Sequence, residues 1–543
     1  MSLRNRFVVP VIFSALALLG GCGSNNPNVT PPPSGGFSDS NLNGTYVFSA
    51  SGTDGAGNPY SMAGTLTANG SGGITGGAVD LTGPSLSSTG TTIAFQANSA
   101  IGSGSKYNVG VDGRGTATLS TSSAFGTITL AFVLQDSSHG LVIEFDQNAT
   151  GSGTLDLQTA GTTPSGSYAF SLFGANATGD LASVGNFTVG SSGSISGLQD
   201  FTNNTLAYTN LALSGQVVLG PSASPSTQLS TNSGFATLTF DAIPIDATHL
   251  KFIEQDAFGT LLGDAYSQTS SSMPVGTLPF TLGGAVSSSL VPTAAGGFMV
   301  TDSSGDITNA SSQDINEGGT ASTASVTFSG NYAASGTGRY LLSLSGFQGA
   351  TQFVAYPSSA GLFMLQIDSQ GILSGIAYPA QTSTTFASSQ GYGFNLSGSN
   401  VGADSTLGYI PEVDNIAEFT AASAGGLTGY LDENCMPGCP DAPISNISLG
   451  GSTFVAASGG RGQISTPANS SINTLNGGFV LTYYTVDGTT VPFIEVDQGQ
   501  VATGVMVQQN AGSSAAAMAK ASGKHLYVPL RMLRARKAQP KQK

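Results

Sequence analysis

One strand signature recurs four times in this 543-residue chain, and it limits the possible folds more than any other feature. Ile143-Glu144-Phe145-Asp146 returns as Ile253-Glu254-Gln255-Asp256, Leu365-Gln366-Ile367-Asp368 and Ile494-Glu495-Val496-Asp497. The period, about 110 to 130 residues, is that of a small domain rather than a solenoid coil or a propeller blade. Other marks keep the same order. Each copy opens on Tyr46-Val47-Phe48, Tyr168-Ala169-Phe170, Leu278-Pro279-Phe280 or Tyr392-Gly393-Phe394, with Gly52, Gly174, Gly284 or Gly398 four residues after the Phe. A hairpin then runs to Asp80, Asp200, Asp314 or Asp432. Gly113-Arg114 reappears as Gly338-Arg339 and Gly460-Arg461, while the second copy has no Arg near Gly234. The copies end near Gln158, Gln268, Gln381 and Gln508.

Alternating apolar residues broken by Gly, Ser and Asn turns predict seven to nine short antiparallel strands per copy. No helix is expected. The chain therefore reads as all-β, with four tandem units at 41–160, 161–270, 271–384 and 385–510. Small barrels are favoured over β-sandwiches, because about eight strands can close and leave no exposed edge. The Gly-x-Tyr start is similar to the Gly-x-Trp opening of lipocalins, but the chain has no Trp and no lipocalin function is carried over.

Composition supports folded modules. Hydrophobic residues reach 39%, enough to build cores, although charged residues supply only 8% against roughly 25% in ordinary soluble domains. The chain from Gly23 to Asn510 holds five basic residues, Lys106, Lys251, Arg114, Arg339 and Arg461, against all 30 acidic ones. That balance argues against nucleic acid as a partner. Eight more basic residues crowd the tail at 511–543, which could touch an anionic surface or the acidic repeats.

The N-terminus carries an address. Arg4 and Arg6 precede an apolar run from Phe7 to Leu19, too short to span a membrane and patterned as a signal peptide over 1–21. Leu19-Gly20-Gly21-Cys22 resembles the lipobox of bacterial lipoproteins. The resemblance implies cleavage before Cys22 and acylation of its thiol and new amine with palmitate-type chains. It also implies a Pro-, Ser- and Asn-rich tether over 22–40 and a membrane partner reached through the lipid on Cys22. Gly23 lacks the Asp associated with inner-membrane retention, so the expectation is an exported, outer-membrane protein of the cell envelope.

Candidate chemistry is sparse. Glu144 with Asp146, and Glu495 with Asp497, fall on one face of a strand and so admit a glycosidase reading. Recurrence in every unit, with Gln366 in the third, argues for structure: Asp146, Asp256, Asp368 and Asp497 closing turns, and Glu144, Glu254 and Glu495 meeting internal partners. The repeated Arg is the expected partner, pairing Arg114 with Glu144 and Arg461 with Glu495. Arg339 faces the same position, filled by Gln366.

Cys435 and Cys439 predict a local disulfide outside the cytoplasm. The acidic stretches Asp302–Asp306 and Asp432–Asp441 lack a calcium-loop pattern and read as solvated turns. His139, His249 and His525 have no sequence partners. No cofactor or catalytic residue is expected. The leading reading is a structural, adhesive or partner-binding protein that meets an envelope polymer or protein. A carrier of small apolar ligands is the alternative, and a glycan-active enzyme a distant third.

Overall fold

A computed structural model describes residues 36–512, apart from 88, 91, 160–163, 177, 205, 220–226, 233–235, 287–290, 323, 386–387, 403–409, 440, 457 and 468–477. The segments expected to be a signal peptide and, for the most part, a tether lie outside the described residues with Cys22, as does the tail beyond Gly512. The chain is all-β, in four antiparallel sheets that follow one another along the sequence. The second sheet, Gly166–Ser267, closes into an eight-stranded barrel. The third, Gly276–Ala377, also closes when Val291–Thr301 pairs with Asp306–Glu317, leaving the two-residue strand Thr320–Ala321 as an appendage. The first and fourth, Asn43–Leu157 and Gly391–Gln508, are nine-stranded half-barrels open between their fourth and fifth strands. Isolated bridges, Ile101 to Thr121 and Gly426 to Thr453, span those openings.

Strand alternation decides what each unit buries. In Thr127–Leu134, Leu130, Phe132 and Leu134 enter the first barrel core, whereas Ala131 and Val133 join a separate apolar cluster with Ile416 and Val505 of the fourth unit. Each unit thus has one apolar face inside and another outside, and the outer face needs a neighbour. The recurring glycine has a steric cause. A Cβ at Gly52 would come within 1.9 Å of the Thr150 carbonyl oxygen on the adjacent strand, and one at Gly284 within 1.8 Å of that of Ile372. The interiors of the second and fourth units are nearly filled. Phe170, Phe187, Phe240 and Phe252 leave a cavity of about 20 Å³ in the second barrel, and about 10 Å³ remains among Phe394, Phe419 and Phe479 in the fourth. That is room for about one water.

The outer faces pack the units into a closed ring. Val47 and Ala63 meet Ile243 and Ile253 between units one and two. Phe173 and Val184 meet Val354 and Phe363 between two and three. Ala294 and Phe298 meet Tyr484 and Ile494 between three and four. The contact of Ile416 and Val505 with Ala131 and Val133 closes four onto one. Side-chain amides at the unit ends repeat the same step. Gln158, Gln268 and Gln381 donate to the carbonyls of Pro244, Pro357 and Thr485 in the next unit, at 2.7, 2.8 and 2.8 Å. Gln509 then donates to Leu134 of the first unit at 2.9 Å.

Candidate functional site

The repeated polar residues converge on the four seams. In each unit the Asp at the end of the hairpin is followed two residues later by Thr or Asn: Asp80 and Thr82, Asp200 and Thr202, Asp314 and Asn316, Asp432 and Asn434. Strand periodicity places both on the outer face. Asn316 Nδ2 donates to the carbonyls of Glu495, Asp497 and Gln500 at 3.0, 3.0 and 2.8 Å. Asn434 does the same to Glu144, Asp146 and Ala149 across the closing seam, at 2.9, 3.0 and 2.9 Å. Thr202 Oγ1 donates to Gln366 O at 3.0 Å, and Thr82 Oγ1 to Gly259 O at 3.3 Å. One unit's hairpin therefore grips the next unit's Glu-x-Asp turn.

The Asp of the same motif receives the repeated arginine, which corrects the expected Arg–Glu pairing. Arg339 binds Asp200 through Nε at 2.8 Å and Nη2 at 2.6 Å, with the Tyr356 hydroxyl donating to the same carboxylate at 2.5 Å. Arg461 binds Asp314 at 2.9 and 2.7 Å, joined by Tyr484 at 2.8 Å. Arg114 reaches Asp432 at 3.1 Å and Asp112 at 2.9 Å. Neither Arg114–Glu144 nor Arg461–Glu495 forms. A partner across a seam satisfies the cation in bidentate geometry, whereas the Glu side chains point elsewhere. Asp432 is likewise corrected from a solvated turn residue to a buried clamp, while Asp302 stays in an exposed turn, accepting from Ser304 N and Asp306 N.

The four Asp residues of the Glu-x-Asp signature close turns as their spacing suggests. Asp146 accepts from Thr129 N and Asn148 N, Asp256 from Thr239 N and Phe258 N, Asp368 from Thr351 N and Gln370 N, and Asp497 from Val480 N and Gly499 N. Gln366 explains its Glu counterparts. Its amide donates to Gly349 O at 2.9 Å and Asp368 Oδ1 at 2.7 Å, and its carbonyl accepts from Leu373 N at 3.0 Å. Glu254 accepts from Leu261 N at 3.0 Å, the same offset of seven residues. Burial first, then the neighbouring Asp, raises Glu144, Glu254 and Glu495 well above the usual carboxylate range. Held as neutral acids, they can donate where Gln366 donates. Glu144 additionally accepts from the Tyr60 hydroxyl.

The seam between units one and two departs from the pattern. With no arginine in the second unit, Asp80 faces Asp241, and burial followed by that neighbour raises its pKa to about 8. Beside this lies a buried polar chain. Lys251 Nζ sits 2.5 Å from Asp264 Oδ1, and His249 Nε2 sits 2.6 Å from the same oxygen. Lys251 Nζ also donates to Thr154 Oγ1 of the first unit at 3.2 Å, and Thr154 donates to Asp156 Oδ2 at 2.8 Å. Asp156 Oδ1 lies 3.0 Å from His139 Nδ1. Burial works to raise Asp156, but the His139 hydrogen bond and the nearby cations outweigh it and hold the carboxyl at about 2. Burial likewise works to raise Asp264, but Lys251 and His249 outweigh it and lower the carboxyl pKa.

Two histidines read as isolated thus share one site; His525 lies outside the described residues. Both stand five residues before their Glu, a correspondence visible in the sequence once the copies are aligned. Cys435 and Cys439 are joined as a disulfide. Compared with known proteins, the chain matches no family model and no curated protein.

Proposed function

We propose that this chain is a lipid-anchored protein of the bacterial cell envelope whose barrels form one platform with a structural, adhesive or partner-binding role. The observation that carries this reading is where the repeated charged side chains go: the arginines and the hairpin Asp residues join units, and the Glu-x-Asp pairs build the turns those hairpins grip. Asn316 and Asn434 bind the backbone carbonyls of those turns, which supports a structural role for the pairs over the glycosidase reading. The nearly filled interiors of the second and fourth units weigh against a carrier there, because ligand pockets run to roughly 300–1,000 Å³; a cavity in that range, about 810 Å³ and open to solvent, lies beside Val291, Ile315 and Gly349 of the third unit.

The anchor rests on Cys22 and its lipobox. Asn41 Nδ2 donates to Ala511 O at 3.3 Å, so the segments before and after the ring begin side by side. An acylated Cys22 and a basic tail would be two membrane signals, and stable anchoring takes two. The test has two arms. Cys22→Ser should move the protein from the membrane fraction to the soluble fraction and abolish fatty-acid labelling; retention of both refutes the anchor. A screen of the mature protein against envelope glycans, lipids and proteins should return a surface ligand, whereas turnover of a glycan, abolished by Glu495→Gln, would replace the binding role with an enzymatic one.

A further inference from the structure

The polar chain at the first seam holds a nucleophile, an electrophile and proton carriers in contact. We propose that Lys251 and Asp264 form an intramolecular amide bond, a covalent cross-link between adjacent strands of the second barrel.

Four observations support it. Lys251 and Asp264 are directly opposed partners in the antiparallel pair His249–Glu254 and Leu262–Ser267, so the backbone register fixes their approach. Both are buried, at 1% and 0% exposure. The 2.5 Å contact from Nζ to Oδ1 sets the amine against the carboxyl group whose carbon it must reach, and near-attack geometry asks for roughly 3–3.5 Å to that carbon. Asp264 Oδ2 has no hydrogen-bond partner among the described residues, which suits the carbonyl oxygen of a finished amide better than a buried carboxylate. The constellation is also peculiar to this place. The positions matching Lys251, three residues before the Glu or Gln, are Leu141, Phe363 and Pro492, so the repeat itself does not demand a lysine here.

The step balances within the residues present. A proton passes from Nζ to Oδ1 along their contact, giving a neutral amine and a neutral acid. The Nζ lone pair attacks Cγ, and a second proton leaves the nitrogen through Thr154 Oγ1 to the Asp156 carboxylate, which His139 orients. The Cγ–Oδ1 bond breaks with its electron pair on oxygen, and Oδ1, taking a proton from protonated His249 Nε2, departs as water. Asp156 returns the extra proton and His249 recovers one by exchange with solvent. The product is an amide plus one water, with no oxidant, reductant or cofactor. Confinement supplies what is missing in solution: held reactants gain effective molarities of roughly 10⁵–10⁸ M, and the reaction removes an ion pair from a site where charges are poorly solvated.

The test is peptide mass spectrometry on the full chain, denatured and digested with trypsin. Trypsin cannot cut after a linked lysine, so the expected product runs uncut through Lys251 and is lighter than its sequence by one water, about 18 Da. Further cleavage after Glu254 should leave two peptides still joined. Lys251→Arg should be cut normally and show no mass loss, and Asp156→Asn should slow the appearance of the linked peptide after synthesis. Quantitative cleavage after Lys251 in the natural chain, with masses equal to the sequence, would overturn the proposal and leave an ordinary ion pair. The natural chain decides the question even where a variant fails to fold.

Discussion

Asp241→Asn tests the logic of the seams most directly. Three seams place an arginine on the hairpin Asp, and the first places Asp241 there. Asp80 also accepts from Asn98 N at 2.5 Å, which fixes its carboxylate in place. Its pKa rises from 3.8 to about 8, with burial the larger cause and Asp241 the second. A raised carboxyl pKa means that folding stability is whole below the unfolded value and is lost as pH climbs through the folded one. Between pH 4 and 8 the loss from this group amounts to roughly 5 kcal/mol at most, at about 1.4 kcal/mol per unit. The Asn variant removes only the contribution of Asp241 and leaves the burial. It should therefore recover about 1–2 kcal/mol near pH 8 and almost nothing near pH 4. Urea unfolding of both proteins from pH 4 to 9 measures this. A variant less stable than the natural protein at pH 8, or one whose stability falls as steeply with pH, refutes the account in which Asp241 helps to raise Asp80.

Two further outcomes follow from the same geometry. Arg339→Met strands Asp200, which is 0% exposed, and should cost about 3–5 kcal/mol in chemical unfolding; adding Asp200→Asn should return more than half of that, and an unrescued double variant would show that the pair is incidental. Glu254→Gln and Glu495→Gln copy Gln366, so each should change stability by less than about 1 kcal/mol at pH 6 and gain on the natural protein as pH rises. A loss above about 3 kcal/mol at pH 6 would mean that these acids are ionised and paired.

The fold was largely legible because a strand signature repeated in order carries both the period and the class. Tyr46, Gly52 and Glu144 have counterparts in other copies because barrel closure and turn geometry impose the same constraints in each. The ring was not legible. Periodicity puts Asp200 and Thr202 on an outer face but does not say whether solvent or another unit covers it. Pairing Arg114 with Glu144 supposes that a repeat satisfies its own charges, and the mismatch of Arg339 with Gln366 shows in the sequence that the arginine answers to something else. The Asp-x-Thr and Asp-x-Asn motif, and the equal offsets of His139 and His249, were present in the sequence and needed only alignment of the copies. The Lys251–Asp264 contact depends on register across a hairpin whose connection, 255–261, is longer than its counterparts in the other units, which spacing alone does not reveal.

Gln509 grips the first unit as each earlier glutamine grips its successor, and Asn41 touches Ala511. No unit is therefore first in any mechanical sense. A circularly permuted chain, opened between two neighbouring barrels and spliced across the present ends, would keep every seam intact. The order in which the barrels are synthesised is a property of the gene, while the finished object has none.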